Sequence, residues 1–192
     1  MPMGPVRDAI DSDMAHVQAI YAHHVTHGLG SFEEVPPDTR EMAARRRAVV
    51  ERGLPYLVAE EHSKIVGYVY AAPFRPCPAY RYALENSVYV APEAIRRGIG
   101  RRLLQALIER CTALDYRQMI AVIGHSGNRE SIGLHAAVGF RHVALLPSVG
   151  FKLGRWVDLV IMQRPLGSGD EKRSLPARTR PCGVSREAVG LF

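Results

Sequence analysis

The sequence predicts an α/β (α+β) fold, in which a mixed sheet carries helices on both faces. Some neighbouring β-type runs are joined by short polar turns, as in hairpins, whereas others are separated by stretches with helical spacing, as in crossovers. The chain has 192 residues, of which 47% are apolar, and this is enough to bury one sizeable core. We therefore expect one domain, residues 1–167, whose elements follow in the order β-α-α-β-β-β-α-β-α-β-β.

The first half of the chain supplies two helices and three strands. A short first strand is predicted in GPVRDAI, and a helix follows in DSDMAHVQAIYAHHV, with Asp11 or Ser12 as its N-cap. A second helix is predicted from TREMAARRRAVVERG, ended by Gly53. Two strands joined by a polar turn at residues 62–64 are predicted in YLVAEEHSKIVGYVYAAPF, and ENSVYVAP forms the next strand.

The second half alternates helices and strands before the pattern ends. The stretch after RRGIG places apolar residues on one helical stripe, and QMIAVIG is a continuously apolar, buried strand. A helix in NRESIGLHAAVGF ends at Gly139, and two strands follow in RHVALLPSVGFKLGRWVDLVIMQRPL. In residues 168–192 Arg, Pro, Ser and Gly dominate, so we expect a basic, disordered tail.

Composition narrows the classes of protein that remain. The formal net charge is +6, but no basic stripe is interleaved with aromatic residues, so charge favours a polyphosphate ligand as much as nucleic acid. No run approaches the roughly 20 apolar residues of a membrane span, and MPMGPVRDAI lacks the layout of a secretion signal. Cys77, Cys111 and Cys182 are far apart. We expect free thiols, no metal site, no membrane or nucleic-acid partner, and a cytoplasmic location.

The turn RRGIG joins a strand to a helix and suits an anionic ligand. Gly98 and Gly100 let backbone N–H groups approach a ligand closely, and the helix N-terminus adds partial positive charge. A P-loop motif is absent, and Leu103 stands where a dinucleotide fold has its third glycine. A tight turn with solvated arginines is the alternative. The neighbouring cations are Arg96, Arg97, Arg101 and Arg102.

Several ordered blocks resemble one enzyme family. VYVAPEAIRRGIGRRLL resembles motif A of the GNAT superfamily of N-acetyltransferases, whose [QR]-x-x-G-x-[GA] loop binds the pyrophosphate of acetyl-CoA, and AVIGHSGNRESIGLHAAVGF resembles its second signature. GSFEEVPPD, YAAPFRPCPAYRYALENSVYV and GFKLGRWVDLVIMQ are similar to the phosphinothricin N-acetyltransferase-like branch. The resemblance covers residues 5–166 and implies a mostly antiparallel sheet. One departure is Ile95, where the motif has Gln or Arg.

The resemblance also implies which residues bind acetyl-CoA. Asn128 is expected to hydrogen-bond the pantetheine arm, while its side-chain oxygen can also cap a helix. The main chain of Val88, Tyr89 and Val90 is expected at the acetyl end, with the N–H of Val90 or a neighbour polarising the thioester carbonyl. The pyrophosphate is expected to contact Arg96, Arg97, Gly98, Ile99, Gly100 and Arg101.

Two residues are catalytic candidates on the same grounds. The Glu matching Glu85 is regarded in this branch as the general base, and alternation along ENSVYV places Glu85 on one face with Ser87 and Tyr89. His135 stands where many GNAT enzymes carry a Tyr that protonates the leaving thiolate. The alternatives are an exposed carboxylate at the start of a strand and a satisfied, semi-buried histidine.

On the acceptor side, Phe32, Arg75 and Tyr80 are expected to bind the substrate, whose carboxylate and second anionic group need cations. Many relatives carry an Arg where this chain has Cys77. The resemblance thus implies direct acetyl transfer to the primary amine of a small amino acid or analogue, of the phosphinothricin or methionine sulfoximine/sulfone type, by a homodimer. Two alternatives stay open: acetylation of another small amine or a protein N-terminus, and a non-catalytic CoA-binding module.

Overall fold

A computed structural model describes residues 4–171 of the chain. The predicted order of eleven elements is confirmed, with short 3₁₀ turns between some of them. The strands are β1 (Val6–Asp8), β2 (Tyr56–Glu61), β3 (Lys64–Pro73), β4 (Ala83–Val90), β5 (Gln118–Gly124), β6 (Arg141–Lys152) and β7 (Arg155–Pro165). The helices are α1 (Met14–His27), α2 (Thr39–Glu51), α3 (Ile99–Ala113) and α4 (Arg129–Ala137).

All seven strands form one sheet, in the order β1-β2-β3-β4-β5-β7-β6. Every neighbouring pair is antiparallel except β4 and β5, which run parallel because α3 returns the chain across the sheet. The prediction of a mixed, mostly antiparallel sheet is therefore confirmed. The hairpin between β2 and β3 turns at His62 and Ser63, both of which have positive φ, as a tight two-residue turn requires.

The helices cover both faces of the sheet, as predicted. Helices α1 and α2 lie on the face where β3 presents Tyr68 and Tyr70. Helix α3 packs on the opposite face at Gly67, where an added Cβ would lie 3.0 Å from the side chain of Leu103. Helix α4 contacts α3 on that second face, through Leu134. The two faces of β4 therefore meet different surroundings, and this decides the roles of adjacent residues.

Two local predictions have different outcomes. The N-cap assignment to Asp11 or Ser12 was wrong: those residues belong to a 3₁₀ turn, and Asp13 precedes α1, where its carboxylate accepts from the Ile10 N–H and pairs with Arg7. That ion pair holds the carboxylate away from the helix N–H groups. Of the predicted tail, residues 168–171 form a turn, and residues 172–192 lie outside the described part.

Among the described residues, no helix combines the length and apolar character needed to cross a bilayer. The described part of the chain also holds no group of three side chains suited to binding a metal ion. Cys77 is exposed and Cys111 is buried, and both are unpaired thiols. Cys182 lies outside the described range.

Candidate active site

The site is built around a fork between the two parallel strands. Pairing of β4 with β5 runs from Ala83 to Asn86 on one strand and from Gln118 to Ala121 on the other, and ends there. Both strands continue past that point, β4 to Val90 and β5 to Gly124. The residues of β4 beyond Asn86 therefore lack the ladder partner that a continuous parallel pair would supply. A fork of this kind exposes main-chain hydrogen-bonding groups to a bound molecule.

The register of β3 with β4 determines which main-chain groups face the fork. The Ala91 N–H donates to the Val66 carbonyl, and in an antiparallel ladder such bonded pairs alternate along the strands. The main chain of Tyr89 is therefore bonded to β3, whereas those of Val88 and Val90 point towards the fork. The main chains of Val88 and Val90 are thus placed for the expected contacts with the acetyl end, whereas the main chain of Tyr89 is not.

The predicted phosphate turn has the geometry of an anion site. Gly98 has φ of +78°, which a residue with a side chain adopts only with strain. The Arg102 N–H donates to the Gly98 carbonyl at 3.1 Å, so the N–H groups of Ile99, Gly100 and Arg101 precede the first intrahelical bond of α3. Three backbone donors and the positive end of the helix dipole thus meet at one place.

The side chains around this turn divide into two groups. Arg96 and Arg101 are exposed beside the turn, and Ile95 is 56% exposed, so its apolar side chain projects from the loop. Arg97 instead pairs with the Glu61 carboxylate, with 2.6 Å between Nη2 and Oε2. Ile99 is buried in the core and can contribute only its backbone N–H. Of the groups expected to contact the pyrophosphate, the backbone N–H groups, Arg96 and Arg101 are thus accessible at the turn, whereas Arg97 is engaged with Glu61.

Asn128 begins helix α4 and is its N-cap. Its Oδ1 accepts from the Ser131 N–H at 3.1 Å. Its Nδ2 faces the loop after α1, since an added Cβ on Gly30 would lie 3.6 Å from it. The oxygen is thus used by the cap while the amide nitrogen points across the mouth of the fork, so a structural and a binding role are compatible.

Glu85 lies at the fork on the face covered by α1 and α2. The register pairs Ala72 with Glu85 and Tyr70 with Ser87, which confirms the predicted alternation. Burial raises the pKa of Glu85 to about 7, and the positive charge of Arg75 partly opposes this rise. A carboxylate with a pKa near neutrality is half ionised at pH 7 and can both take and return a proton, as a general base must.

His135 lies on the other face of β4 and is only 2% exposed. Its Nε2 lies 3.0 Å from Asn86 Oδ1 and its Nδ1 lies 2.8 Å from the Ser131 carbonyl oxygen. Burial lowers the pKa of His135, and the contact with the Ser131 carbonyl partly offsets this effect. Glu85 and His135 thus approach the fork from opposite sides. Because both ring nitrogens have partners, the description as a satisfied buried histidine also fits the geometry.

The acceptor-side residues cluster around the loop between β3 and β4. Arg75 stacks over the Phe74 ring, with 4.7 Å between the guanidinium carbon and the ring centroid, and its charge acts on Glu85. Phe74 in turn meets the Tyr80 ring edge-on at 5.7 Å. Phe74 therefore brings Arg75 and Tyr80 together, and Arg75 is close enough for its charge to act on Glu85. Cys77 is exposed on the same loop.

Phe32 is held in a slot formed by two glycines. An added Cβ on Gly124 would lie 3.0 Å from the Phe32 ring, and one on Gly150 would lie 2.5 Å from it. The same loop is tied down by Lys152, whose Nζ donates to the Ser31 carbonyl at 2.7 Å. Gly124 is the last residue of β5, so Phe32 lies at the open end of the fork.

Sequence reasoning missed two sets of residues that shape the site. One is Asn86, a buried polar residue between Glu85 and Ser87, and strand alternation, which places it on the face opposite Glu85, was the available signal. The other is the pair Tyr21 and Arg45, which hold the loop after α1: the Tyr21 hydroxyl donates to the Glu33 carboxylate, and Arg45 pairs with that carboxylate at 2.6 Å. No local pattern indicates that pair, because its members come from different elements.

Comparisons with known proteins agree with this geometry. The profile described as the Acetyltransferase (GNAT) family matches residues 17–140. A phosphinothricin N-acetyltransferase from Alcaligenes faecalis is 58% identical over 165 residues, covering 86% of this chain and 84% of the relative. An L-methionine sulfoximine/L-methionine sulfone acetyltransferase from Pseudomonas paraeruginosa is 40% identical over 172 residues, covering 89% and 98%.

A solved structure is similar over nearly the whole described fold. It is a GNAT superfamily phosphinothricin acetyltransferase from Sinorhizobium meliloti, in complex with acetyl-CoA. The TM-score is 0.88 at 44% sequence identity, with 92% of this chain and 95% of that chain covered. The family match, the identity to the two relatives and the shared fold lead to one conclusion: this chain belongs to the GNAT family of acetyltransferases.

Proposed function

We propose that this protein transfers an acetyl group from acetyl-CoA to the primary amine of a small amino acid or amino-acid analogue. The observation that carries the proposal is Glu85, a carboxylate with a pKa of about 7, placed at the strand fork beside the cation of Arg75. A general base and a cation for an anionic acceptor are thus adjacent. The relatives that act on phosphinothricin or on methionine sulfoximine and methionine sulfone support this class of acceptor.

The residues at the fork fit acetyl-CoA as the co-substrate. The backbone donors at Gly100 and Arg101 and the exposed Arg96 would hold the pyrophosphate, and Asn128 Nδ2 would hold the pantetheine arm. The main chains of Val88 and Val90 would lie beside the acetyl end. When bound, acetyl-CoA supplies an acetyl group activated as a thioester.

The protein groups then have separate tasks. Glu85 takes a proton from the ammonium group of the acceptor, directly or through water, and leaves a nucleophilic amine. The Val90 N–H would donate to the thioester carbonyl oxygen of acetyl-CoA as negative charge develops on that oxygen. His135 supplies a proton for the departing thiolate. The charge of Arg75 keeps the pKa of Glu85 from rising further, so that the base is ionised near pH 7.

Of the two cysteines in the described part of the chain, the buried one is poorly suited to carry an acyl group, which supports acetyl transfer in a single step within a ternary complex. Cys111 is fully buried in the core, and burial raises the pKa of its thiol to about 12. Cys77 is exposed on the acceptor loop between β3 and β4. The raised pKa of Cys111 disfavours the thiolate that an acyl carrier needs. The unpaired state of both thiols also supports our proposal of a cytoplasmic location.

We also propose a homodimer, supported by an apolar surface on the last two strands. Trp156 is 66% exposed, and its ring meets that of Phe151, 57% exposed, at 5.4 Å. Exposed apolar residues concentrated on one surface commonly mark a protein interface. The remaining exposed apolar residues on β6 are Val143, Leu145 and Val149. Sedimentation of the wild type and of Trp156→Asp should show a dimer and a monomer, and a monomeric wild type would exclude the proposal.

The function is tested by measuring free CoA thiol released with a panel of amines. The panel contains phosphinothricin, methionine sulfoximine, methionine sulfone, free amino acids, polyamines and a peptide with a free N-terminus. Preference for an amino-acid analogue supports the proposal, and preference for the peptide supports acetylation of protein N-termini. Tight binding of acetyl-CoA without turnover of any amine would instead indicate a non-catalytic CoA-binding module. A Cys77→Arg variant assayed in parallel tests whether a second cation improves phosphinothricin binding.

A further inference from the structure

A buried polar cluster connects three elements just where the fork begins. Asn86 on β4 is 5% exposed, and its Nδ2 donates to the Ile120 carbonyl of β5 at 3.0 Å. Its Oδ1 lies 3.0 Å from Nε2 of His135 on α4. The other ring nitrogen, Nδ1, lies 2.8 Å from the Ser131 carbonyl oxygen and 3.5 Å from the Ser131 hydroxyl oxygen. The ring of Phe140 closes the cluster, with its centroid 5.0 Å from that of the imidazole.

The Ile120 carbonyl determines which way the Asn86 amide is turned. A carbonyl oxygen only accepts hydrogen bonds, so the amide atom facing it must be the NH₂ group. Reversing the amide would place two acceptor oxygens 3.0 Å apart in a buried setting, with no donor between them. The Oδ1 atom therefore faces His135, and since it too only accepts, Nε2 of His135 must carry a hydrogen.

The other ring nitrogen of His135, Nδ1, has both a possible donor and an acceptor on Ser131. When the ring is neutral and Nε2 carries the hydrogen, Nδ1 has a lone pair and needs a donor. Ser131 offers one in its hydroxyl group, which can approach from 3.5 Å by rotation about its side-chain bond. When the ring is protonated, Nδ1–H can donate to the Ser131 carbonyl oxygen, which is already within 2.8 Å. The protonated ring is therefore satisfied at both nitrogens, whereas in the neutral ring the Nδ1 lone pair faces the Ser131 carbonyl oxygen at 2.8 Å, and this contact favours the protonated ring. Nε2 is a donor in each state.

We propose that Asn86 is a positioning residue that keeps a hydrogen on Nε2 of His135, so that Nδ1, beside Ser131, is the nitrogen that gains and loses a proton. The inference deepens the proposed function and rests on the role given there to His135. The proton moves from Nδ1 of the imidazolium to the Ser131 oxygen while the hydroxyl proton moves to the leaving thiolate. Serine ends unchanged and the ring ends neutral, as the Nε2–H tautomer.

The position of Ser131 suits it to pass a proton from His135 to the leaving thiolate. It lies in the first turn of α4, three residues after Asn128, whose side chain fixes the Ser131 backbone through the cap. Ser131 is partly exposed, whereas His135 is buried. The hydroxyl is therefore the member of the cluster that reaches towards a bound molecule. Asn86, His135 and Ser131 all lie on the face of β4 opposite Glu85, so proton removal and proton delivery are kept apart.

The tautomer can be measured directly, without any assay of activity. In protein labelled with ¹⁵N-histidine at pH 8, two-bond ¹H–¹⁵N correlations show which ring nitrogen carries the hydrogen, and a His135→Gln sample identifies the His135 signals among the eight histidines. We expect Nε2–H in the wild type. In Asn86→Ala the hydrogen should move to Nδ1, because the Ser131 carbonyl becomes the remaining acceptor. Asn86→Asp retains an acceptor oxygen and should keep Nε2–H.

Nδ1–H in the wild type would overturn the proposal, and so would an unchanged tautomer in a folded Asn86→Ala variant. The wild-type spectrum alone decides the first point if that variant does not fold. An inactive protein with the expected tautomers would contradict the proposed function but leave the positioning role intact.

Kinetics test the second half of the inference. We expect Asn86→Ala and Ser131→Ala each to lower kcat by roughly tenfold or more, as loss of a supporting hydrogen bond commonly does, with little change in the KM for acetyl-CoA. Ser131→Thr keeps a hydroxyl group and should recover most of kcat. If Ser131→Ala turns over acetyl-CoA as fast as the wild type, the hydroxyl does not carry the proton.

Discussion

Replacing Glu85 with glutamine should change both catalysis and stability, and the structure predicts how each depends on pH. Burial raises the pKa of Glu85 from 4.5 to about 7, against the opposing charge of Arg75. If Glu85 is the base, kcat of the wild type should rise about tenfold per pH unit below 7 and level off above it. Glutamine cannot accept the proton, so kcat should fall by about 10²–10⁴-fold and the inflection near pH 7 should disappear.

The stability effect follows from the same pKa. The folded protein binds the proton of Glu85 more tightly than the unfolded chain does, so this group favours folding below pH 4.5 and loses that contribution as pH rises through 7. At pH 8 the cost of keeping the ionised carboxylate buried reaches about 3 kcal/mol. The free energy of unfolding of Glu85→Gln, measured relative to that of the wild type, should therefore increase by about 2–3 kcal/mol between pH 5 and pH 8.

Two measurements check these values. Thiol release gives kcat against pH with saturating acetyl-CoA and acceptor, and urea unfolding at pH 5 and pH 8 gives stability. Glu109→Gln is a matched control, because Glu109 is an exposed carboxylate on α3, outside the site. It should reproduce the wild type in both measurements.

Either of two results would contradict the assignment of Glu85 as a general base with a pKa raised by burial. If Glu85→Gln keeps the wild-type inflection near pH 7, another group is the base. If its advantage in stability is the same at pH 5 and pH 8, the pKa of Glu85 is not raised by burial, and the argument from the fold fails even if the residue is needed for activity.

Three further predictions concern the rest of the site. Gly98→Ala and Gly53→Ala both place a side chain at positive φ in open space, and each should cost about 1 kcal/mol of stability. Only Gly98→Ala should also raise the KM for acetyl-CoA; equal KM values for the two variants would show that the turn does not bind the co-substrate. Arg75→Gln removes a charge that lowers the pKa of Glu85, so the inflection in kcat should move above pH 7, and an unmoved inflection would contradict the contact. Lys152→Met removes the buried donor to the Ser31 carbonyl, which fixes the loop that carries Phe32. The KM for the acceptor should rise about tenfold, as the loss of one buried hydrogen bond predicts, while the KM for acetyl-CoA should stay constant.

Much of the fold could be predicted from the sequence, because the relevant signals are local. Periodicity of apolar residues identified all seven strands and four helices in their order, and the glycines of RRGIG located the turn that begins α3. Alternation along β4 placed Glu85 and Tyr89 on one face, as the register confirms. Where the local signal was ambiguous, as among the acidic residues before α1, the N-cap was assigned wrongly, since the ion pair of Asp13 with Arg7 crosses from a neighbouring strand.

The sequence by itself thus determined the order of elements, the family resemblance and the residue types available at the site. Only the tertiary structure decided how they act: it separates β4 from β5 after Asn86, pairs Arg97 with Glu61, buries Glu85 enough to raise its pKa, and places His135 on the opposite face of β4. The reason is physical. Periodicity depends on neighbours within a few residues, whereas strand pairing, burial and hydrogen-bond partners depend on residues that are 30 to 50 positions apart in the chain.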